Sequence, residues 1–567
     1  MKICRLPFVI LWLLGVLLMS ESTTNASPEA TERAKKFIRD HEARMRPLDQ
    51  VANLAWWEAN ITGKDEDFAK KEKAQNKIDE ALSDKKIYAE LLVIKGLRDK
   101  GQIDDPLISR CIDVLYLLYL EKQVDPALLK KIAAKANAVE QKFNVYRPKV
   151  DGQEVTDSEI RRVLKESTNS DRRQAYWSAS KEVGAAVETD LKELVQLRNE
   201  MAKKLGFSNF HTLYLYLNEQ NGEDLIRLFD ELDQLTKGPF EKAKAEFDEK
   251  LASACGIKTS ELMPWHYHDP FFQESPAVFD ADLDAPFRKA DILKICKAFY
   301  QGVGLPIDTV LAKSSLYEQK GKSPHAFCTD IDRAGDVRVL ANIVANEYWM
   351  GTMLHELGHA VYSSKNIPAD LPYVVRSEAH ILTTEGVAMQ FERFSKSRLW
   401  LEKMGVVVED GEKFDRAAEK VRRNQLLIFS RWCQVMLRFE KSMYENPQQD
   451  LNKLWWDLVE KYQMVKRPSG RSLPDYAAKI HICSAPVYYH NYMMGQLFAS
   501  QVHHTLCKEL YPEKAIREVT YINDPRVGEF MKKKVFAPGR SLSWRDLTKF
   551  ATGSELSAKS FAADFQD

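Results

Sequence analysis

The sequence predicts a mainly α-helical protein. Apolar residues recur at three- and four-residue spacing through most of the chain, and alternating strand patterns are few. The 24 glycines and 22 prolines fall mostly between the periodic stretches. In order, residues 31–42, 65–83, 108–122, 125–143 and 190–205 each carry an apolar stripe and are expected to be helical. The charges of residues 64–77 read as the solvated face of one such helix. The clearest strand pattern is residues 336–341. A helix over 343–363 should follow, with Met350, Leu354, Leu357 and Val361 on one stripe, and then a second over 376–392. An apolar run at 493–502 closes the series of strong segments. No low-complexity linker or repeat interrupts the chain, so residues 23–567 read as a single unit.

Composition bounds the function. A chain of 567 residues with 44% hydrophobic content can bury a large core. Lys+Arg and Asp+Glu are both 82, so net charge gives no reason to expect nucleic acid or an anionic membrane as partner. No heptad seam is visible, and a monomer is expected. Lys2 and Arg5 precede an apolar run over 6–19, followed by small polar residues. Residues 1–22 therefore have the form of a signal peptide, which points to a secreted or periplasmic protein without stable membrane insertion after cleavage. Of eight cysteines, Cys4 lies in that leader, and the remaining seven are sparse and lack C-x-x-C spacing. That is neither a disulfide framework nor a thiolate metal site.

The chemistry concentrates at His355-Glu356-Leu357-Gly358-His359. On a helix, two histidines four residues apart face the same way and can hold one zinc ion, with the glutamate beside the metal to take a proton from water. The plainer alternative is a core helix with two satisfied histidines. A glycine before the second histidine costs helix propensity and suggests close packing. A catalytic zinc needs a third protein ligand, and the segment 376–392 offers Glu385, with Glu378 in reserve. Near the C-terminus, Lys479 and His481 precede Tyr488-Tyr489-His490-Asn491-Tyr492. Such groups can stabilise an oxyanion or fix a substrate carboxylate, although an aromatic-rich helix start is more often plain core.

These motifs together resemble the angiotensin-converting-enzyme family of zinc dipeptidyl carboxypeptidases. Leu54-Ala55-Trp56-Trp57-Glu58-Ala59-Asn60-Ile61-Thr62 is similar to that family's early helix, and the five residues from His355 match its zinc motif. Arg376 to Glu385 keeps its interval between an arginine and the third ligand. His325-Ala326, Lys479 with His481, Tyr489 with Tyr492, and His503 with Cys507 match further intervals. The resemblance implies zinc on His355, His359 and Glu385, with Glu356 activating water. It implies Tyr492 and His481 at the oxyanion, Lys479 and Tyr489 on the substrate's C-terminal carboxylate, and His325 and Ala326 on its backbone. The fold implied is two helical lobes around a deep cleft, lidded by N-terminal helices, with a very small β element near the zinc.

Several departures qualify this. The family's carboxylate-binding glutamine is missing from Trp265-His266-Tyr267-His268, leaving either His266 or His268 as a substitute or a weaker anchor. The aspartate four residues after the third ligand is Met389, so another group, such as Glu378, has to orient a histidine. Two chloride-binding arginines are replaced by Val459 and Asn491, so chloride activation is not expected. The usual cysteine partners are absent, and two family disulfides with them. The leading expectation is dipeptide release from short peptides. Alternatives are a single-residue carboxypeptidase or oligopeptidase, and a non-catalytic peptide-binding protein.

Overall fold

The computed structural model describes residues 26–278 and 282–565. Helices dominate it. The named strands form only two antiparallel pairs, β1 (Lys149–Val150) with β2 (Gln153–Glu154) and β3 (Phe327–Asp330) with β4 (Val337–Leu340). The mainly α expectation holds, with the β3–β4 hairpin beside the predicted site. Residues 1–22, expected from the sequence to be a signal peptide, lie outside the described residues. No helix among the described residues is long and apolar enough to cross a membrane.

The expected helices form where caps and periodicity agree. Residues 31–42 lie inside Pro28–Thr62, which starts at Ser27, whose hydroxyl accepts from the Ala30 N–H. Asp105 and Asp125 cap Pro106–Leu120 and Pro126–Val145, each with proline at the first helical position. Residues 190–205 belong to a longer helix, Ser170–Lys204.

The helices Pro28–Thr62, Asp65–Leu82, Lys85–Asp99 and Pro106–Leu120 bury an apolar cluster of their own, including Ile38, Leu91, Ile94 and Leu115. Val374 and Val375, in the turn that precedes the Glu385 segment, join this cluster. The layer also meets the hairpin directly. Trp57 packs with Ile331 and Leu340, and Asn53 donates to the Ile331 carbonyl at 3.1 Å. The main core is separate and draws its residues from Val124 through to Phe565.

Three helices of that core carry most of the site: Glu347–Tyr362, Ile381–Glu392 and His490–Leu510. Glycines let them approach. A Cβ on Gly358 would lie 2.7 Å from the Ala388 Cα, and one on Gly386 would lie 2.7 Å from the Gly495 carbonyl oxygen. The glycine within the histidine motif is thus a packing residue.

Two boundaries differ from expectation. Residues 343–346 lie outside the helix, because Asn346 caps it by accepting from the Trp349 N–H at 2.9 Å. Residues 376–380 are not helical either. Arg376 is tied to the Leu371 carbonyl, the Ala379 N–H goes to the Tyr362 hydroxyl, and His380 caps the helix through the Leu382 N–H. Side chains satisfy this backbone, so it has no need of a helical turn.

Candidate active site

His355 and His359 face one side of Glu347–Tyr362, and Glu385 reaches them from the adjoining helix. The Nε2 atoms of the two histidines are 3.1 Å apart, and Glu385 Oε2 lies 3.5 Å and 4.0 Å from them. Ligand atoms about 2.0–2.1 Å from a tetrahedral zinc are separated by about 3.4 Å. The three groups offer ligand atoms that all lie within 4.8 Å of one another. The outer nitrogens explain why the inner ones are available. His355 Nδ1 meets Glu392 Oε2 at 2.8 Å, and His359 Nδ1 meets Thr384 Oγ1 at 2.7 Å. With each Nδ1–H donating outward, both Nε2 lone pairs converge on one point. Burial lowers His359 to about 4, so this imidazole is neutral. The donor set and its spacing fit zinc.

Glu356 stands next to this group and is 7% exposed. Burial pushes its carboxyl up to about 7 against the pull of His355, and the Cys328 backbone N–H bonds to it. Strand β3 therefore touches Glu356 through its backbone. Among the described strands β3 pairs only with β4. His325, exposed, and Ala326, half-buried, lie immediately before that strand.

The other end of the site is a box of rings around an ammonium. Lys479 Nζ donates to Gln273 Oε1 at 2.6 Å and lies 5.3–5.6 Å from the ring centres of Phe271, Trp432 and Tyr489. Burial lowers Lys479 to about 8, with Asp269 opposing. Tyr489 makes edge contacts with His481 and Tyr492, at centroid distances of 4.9 and 5.4 Å. His481 is kept neutral by burial and by Lys479, which bring it to about 4, and its Nδ1 is buried without a partner among the described residues. Burial raises the Tyr492 phenol, and the charge of Glu385 adds to that. Tyr492 therefore spans the interval between the ring box and the third ligand.

Three expectations need correction. Glu378 is not on the Glu385 helix and is not part of the metal group. Burial raises it to about 7, and its charged neighbours are Asp330 and Arg333. The carboxylate in contact with a histidine of the group is Glu392 instead. His266 and His268 are engaged by groups other than Lys479. His266 bonds Ser170 at 2.9 Å and accepts from the Met263 N–H, while His268 accepts from the Ala277 N–H at 3.0 Å. The glutamine that meets Lys479 is Gln273, seven residues beyond His266. Asp269 sets its loop by accepting from the N–H groups of Phe271, Gln273 and Glu274, with Phe272 at φ 50°. The seven cysteines of the described chain are free.

Glu392, Thr384 and Gln273 escaped the sequence reading. Glu392 carries a weak signal, since it lies seven residues after Glu385 and so on the same helix face. Gln273 carries none.

Comparison with known proteins agrees with this geometry. The family profile described as angiotensin-converting enzyme matches residues 28–239 and 270–567. A protein named angiotensin-converting enzyme from Theromyzon tessulatum is 24% identical over 250 residues, covering 43% of this chain and 40% of that protein. Its counterpart from Mus musculus is 25% identical over 294 residues, covering 48% of this chain and 22% of its own. That from Oryctolagus cuniculus is 22% identical over 411 residues, covering 66% and 31%. The matched part thus spans less than half the length of each of these relatives. Since the profile takes in all three metal-site residues and most of the chain, the protein belongs to the angiotensin-converting enzyme family of peptidases.

Proposed function

We propose that this chain is a zinc peptidase that shortens small peptides from their free C-terminus by releasing dipeptides. The observation that carries the reading is the convergence of His355, His359 and Glu385 beside the buried Glu356. When bound there, zinc polarises the scissile carbonyl and acidifies water at the open position. Glu356 accepts the proton of the attacking water and returns it to the leaving amine. Tyr492 donates to the carbonyl oxygen as negative charge develops, and His481, neutral, supports it.

At the far end the substrate carboxylate meets Lys479, Gln273 and Tyr489. Gln273 Oε1 is occupied by Lys479, which leaves its amide N–H groups free to donate to the carboxylate. This supports reading the substrate from its free C-terminus, despite the altered sequence at 265–268. His325 and Ala326, at the head of β3, are read as contacts to the substrate backbone. The intact Glu356 speaks against a non-catalytic role.

Products from peptides of four to ten residues with blocked N-termini, measured by mass spectrometry with and without a zinc chelator, test the reading. Chelator-sensitive loss of two residues at a time is expected. Loss of single residues makes it a carboxypeptidase, and no cleavage across varied peptides removes the activity. Chloride activation is not part of this reading. Val459 is apolar, and Asn491 accepts from the Gln220 amide at 2.7 Å. Lys181, which lines the same cavity as Val459, has its ammonium 3.2 Å from the centre of the Phe271 ring. A many-fold rise in rate on adding chloride overturns that point.

A further inference from the structure

We infer that Glu392 is a positioning residue of the metal centre: it fixes the orientation and basicity of His355 and thereby sets zinc affinity. The inference rests on the zinc reading above. Its basis is a contact between residues 37 apart in sequence, His355 Nδ1 to Glu392 Oε2 at 2.8 Å. A carboxylate on the outer nitrogen of a ligand histidine fixes the tautomer with Nε2 unprotonated and makes that nitrogen a better donor to the metal.

The surroundings hold this contact in place. Glu392 ends the helix that carries Glu385, so one rigid element delivers both a ligand and the partner of another ligand. The Glu392 side chain crosses the neighbouring helix at Gly351, one turn before His355. A Cβ there would stand 3.7 Å from Glu392 Cγ and 3.3 Å from Ser395 Oγ, so a larger side chain would close the route. The same turn is pinned by Glu347, which accepts from Ser395 Oγ at 2.7 Å and Lys396 Nζ at 2.6 Å. Lys396 is thereby engaged elsewhere, and Glu392 keeps its bond to His355. Met389, one turn after Glu385, has no group that could do the same work.

The two histidines are therefore supported unequally. His355 has an anionic partner, whereas His359 has a hydroxyl, Thr384 Oγ1 at 2.7 Å. Removing the carboxylate should cost metal affinity, and removing the hydroxyl should cost less. The Glu392 side chain is 43% exposed, so exchanging one carboxylate oxygen for an amide nitrogen leaves the packing as it is.

The test is zinc affinity by competition with a chromogenic chelator, for the unmodified chain, Glu392→Gln and Thr384→Val. The melting temperature of each metal-free protein controls for structural damage. Glu392→Gln is expected to weaken zinc binding by roughly 10- to 100-fold without lowering the metal-free melting temperature, and Thr384→Val by less. Replacement of zinc by cobalt(II) should also show a changed visible spectrum in Glu392→Gln, which a merely structural role would not produce. Zinc affinity in Glu392→Gln within about threefold of the unmodified chain, or a loss no greater than in Thr384→Val, overturns the inference alone. An unmodified chain that takes up no zinc overturns the zinc reading as well.

Discussion

The two ends of the site are built in different ways. The metal end rests on helices: His355, Glu356 and His359 share one, Glu385 and Glu392 share the next, and glycines bring them into contact. The carboxylate end rests on loops. Gln273 follows a Phe272 held at φ 50°, and the segment that delivers Tyr489 contains Val487 at φ 53°. A β-branched residue in that region is strained, and here the Val487 N–H is held by the buried Glu440 at 2.6 Å. Helical spacing fixes chemistry locally, whereas the anchor depends on contacts between distant loops. Substitutions at the metal end should therefore act on the chemical step, and substitutions at the anchor on substrate selection.

The largest effect is expected at Glu356. Glu356→Gln keeps the size of the side chain and leaves the three ligands in place, so the protein should still bind one zinc per chain. Turnover should fall by about a thousandfold or more, because an amide cannot accept the water proton. Zinc content and kcat measured on the same preparation check this, and zinc-replete enzyme with near-normal kcat would refute the general-base assignment.

How much of this was legible follows the same division. The helical class came from periodicity, and the ligands came from spacings that a helix converts directly into geometry. The start of the Glu385 helix differs because side-chain bonds hold the chain before it, Arg376 on the Leu371 carbonyl and Tyr362 on the Ala379 N–H, while His380 caps the Leu382 N–H, and their effect does not show in a periodic pattern. Glu378 was misassigned for the same reason, since the face it was given belongs to a helix that begins after it. Gln273 was illegible because its approach to Lys479 joins residues 206 apart through an Asp269-capped loop.

The anchor gives the next effect. In Lys479→Met the apolar side chain can stay within the rings of Phe271, Trp432 and Tyr489, so folding should survive. The lost charged hydrogen bond is worth about 1.5–3 kcal/mol, or roughly 10- to 100-fold in kcat/KM for peptides with a free C-terminus. C-terminally amidated peptides should be nearly indifferent, and an equal loss on both would remove Lys479 from the anchor. The pH dependence has a definite sign. Burial lowers Lys479 to about 8, so its ammonium is lost as pH rises through that value. KM for free-carboxylate peptides should then climb above about pH 8 while KM for amides stays level. In Lys479→Met that alkaline limb should vanish.

The smallest effect, at Gln273, discriminates best between the structure and the sequence alone. Gln273→Ala removes a neutral donor from the carboxylate and a partner from Lys479. A hydrogen bond from a neutral donor to a carboxylate lies at the low end of the charged range, about 1.5 kcal/mol, so KM should rise roughly tenfold with kcat little changed. His268→Ala makes the contrast, because His268 lies within the segment where the glutamine was first sought. Its ring accepts from the Ala277 N–H and meets Arg173, and both bonds hold the loop that leads toward Gln273. Its loss should lower the melting temperature, with KM shifting less than in Gln273→Ala. If His268→Ala raises KM more than Gln273→Ala, the anchor lies where the sequence alone put it, and the bond between Gln273 and Lys479 belongs to the scaffold.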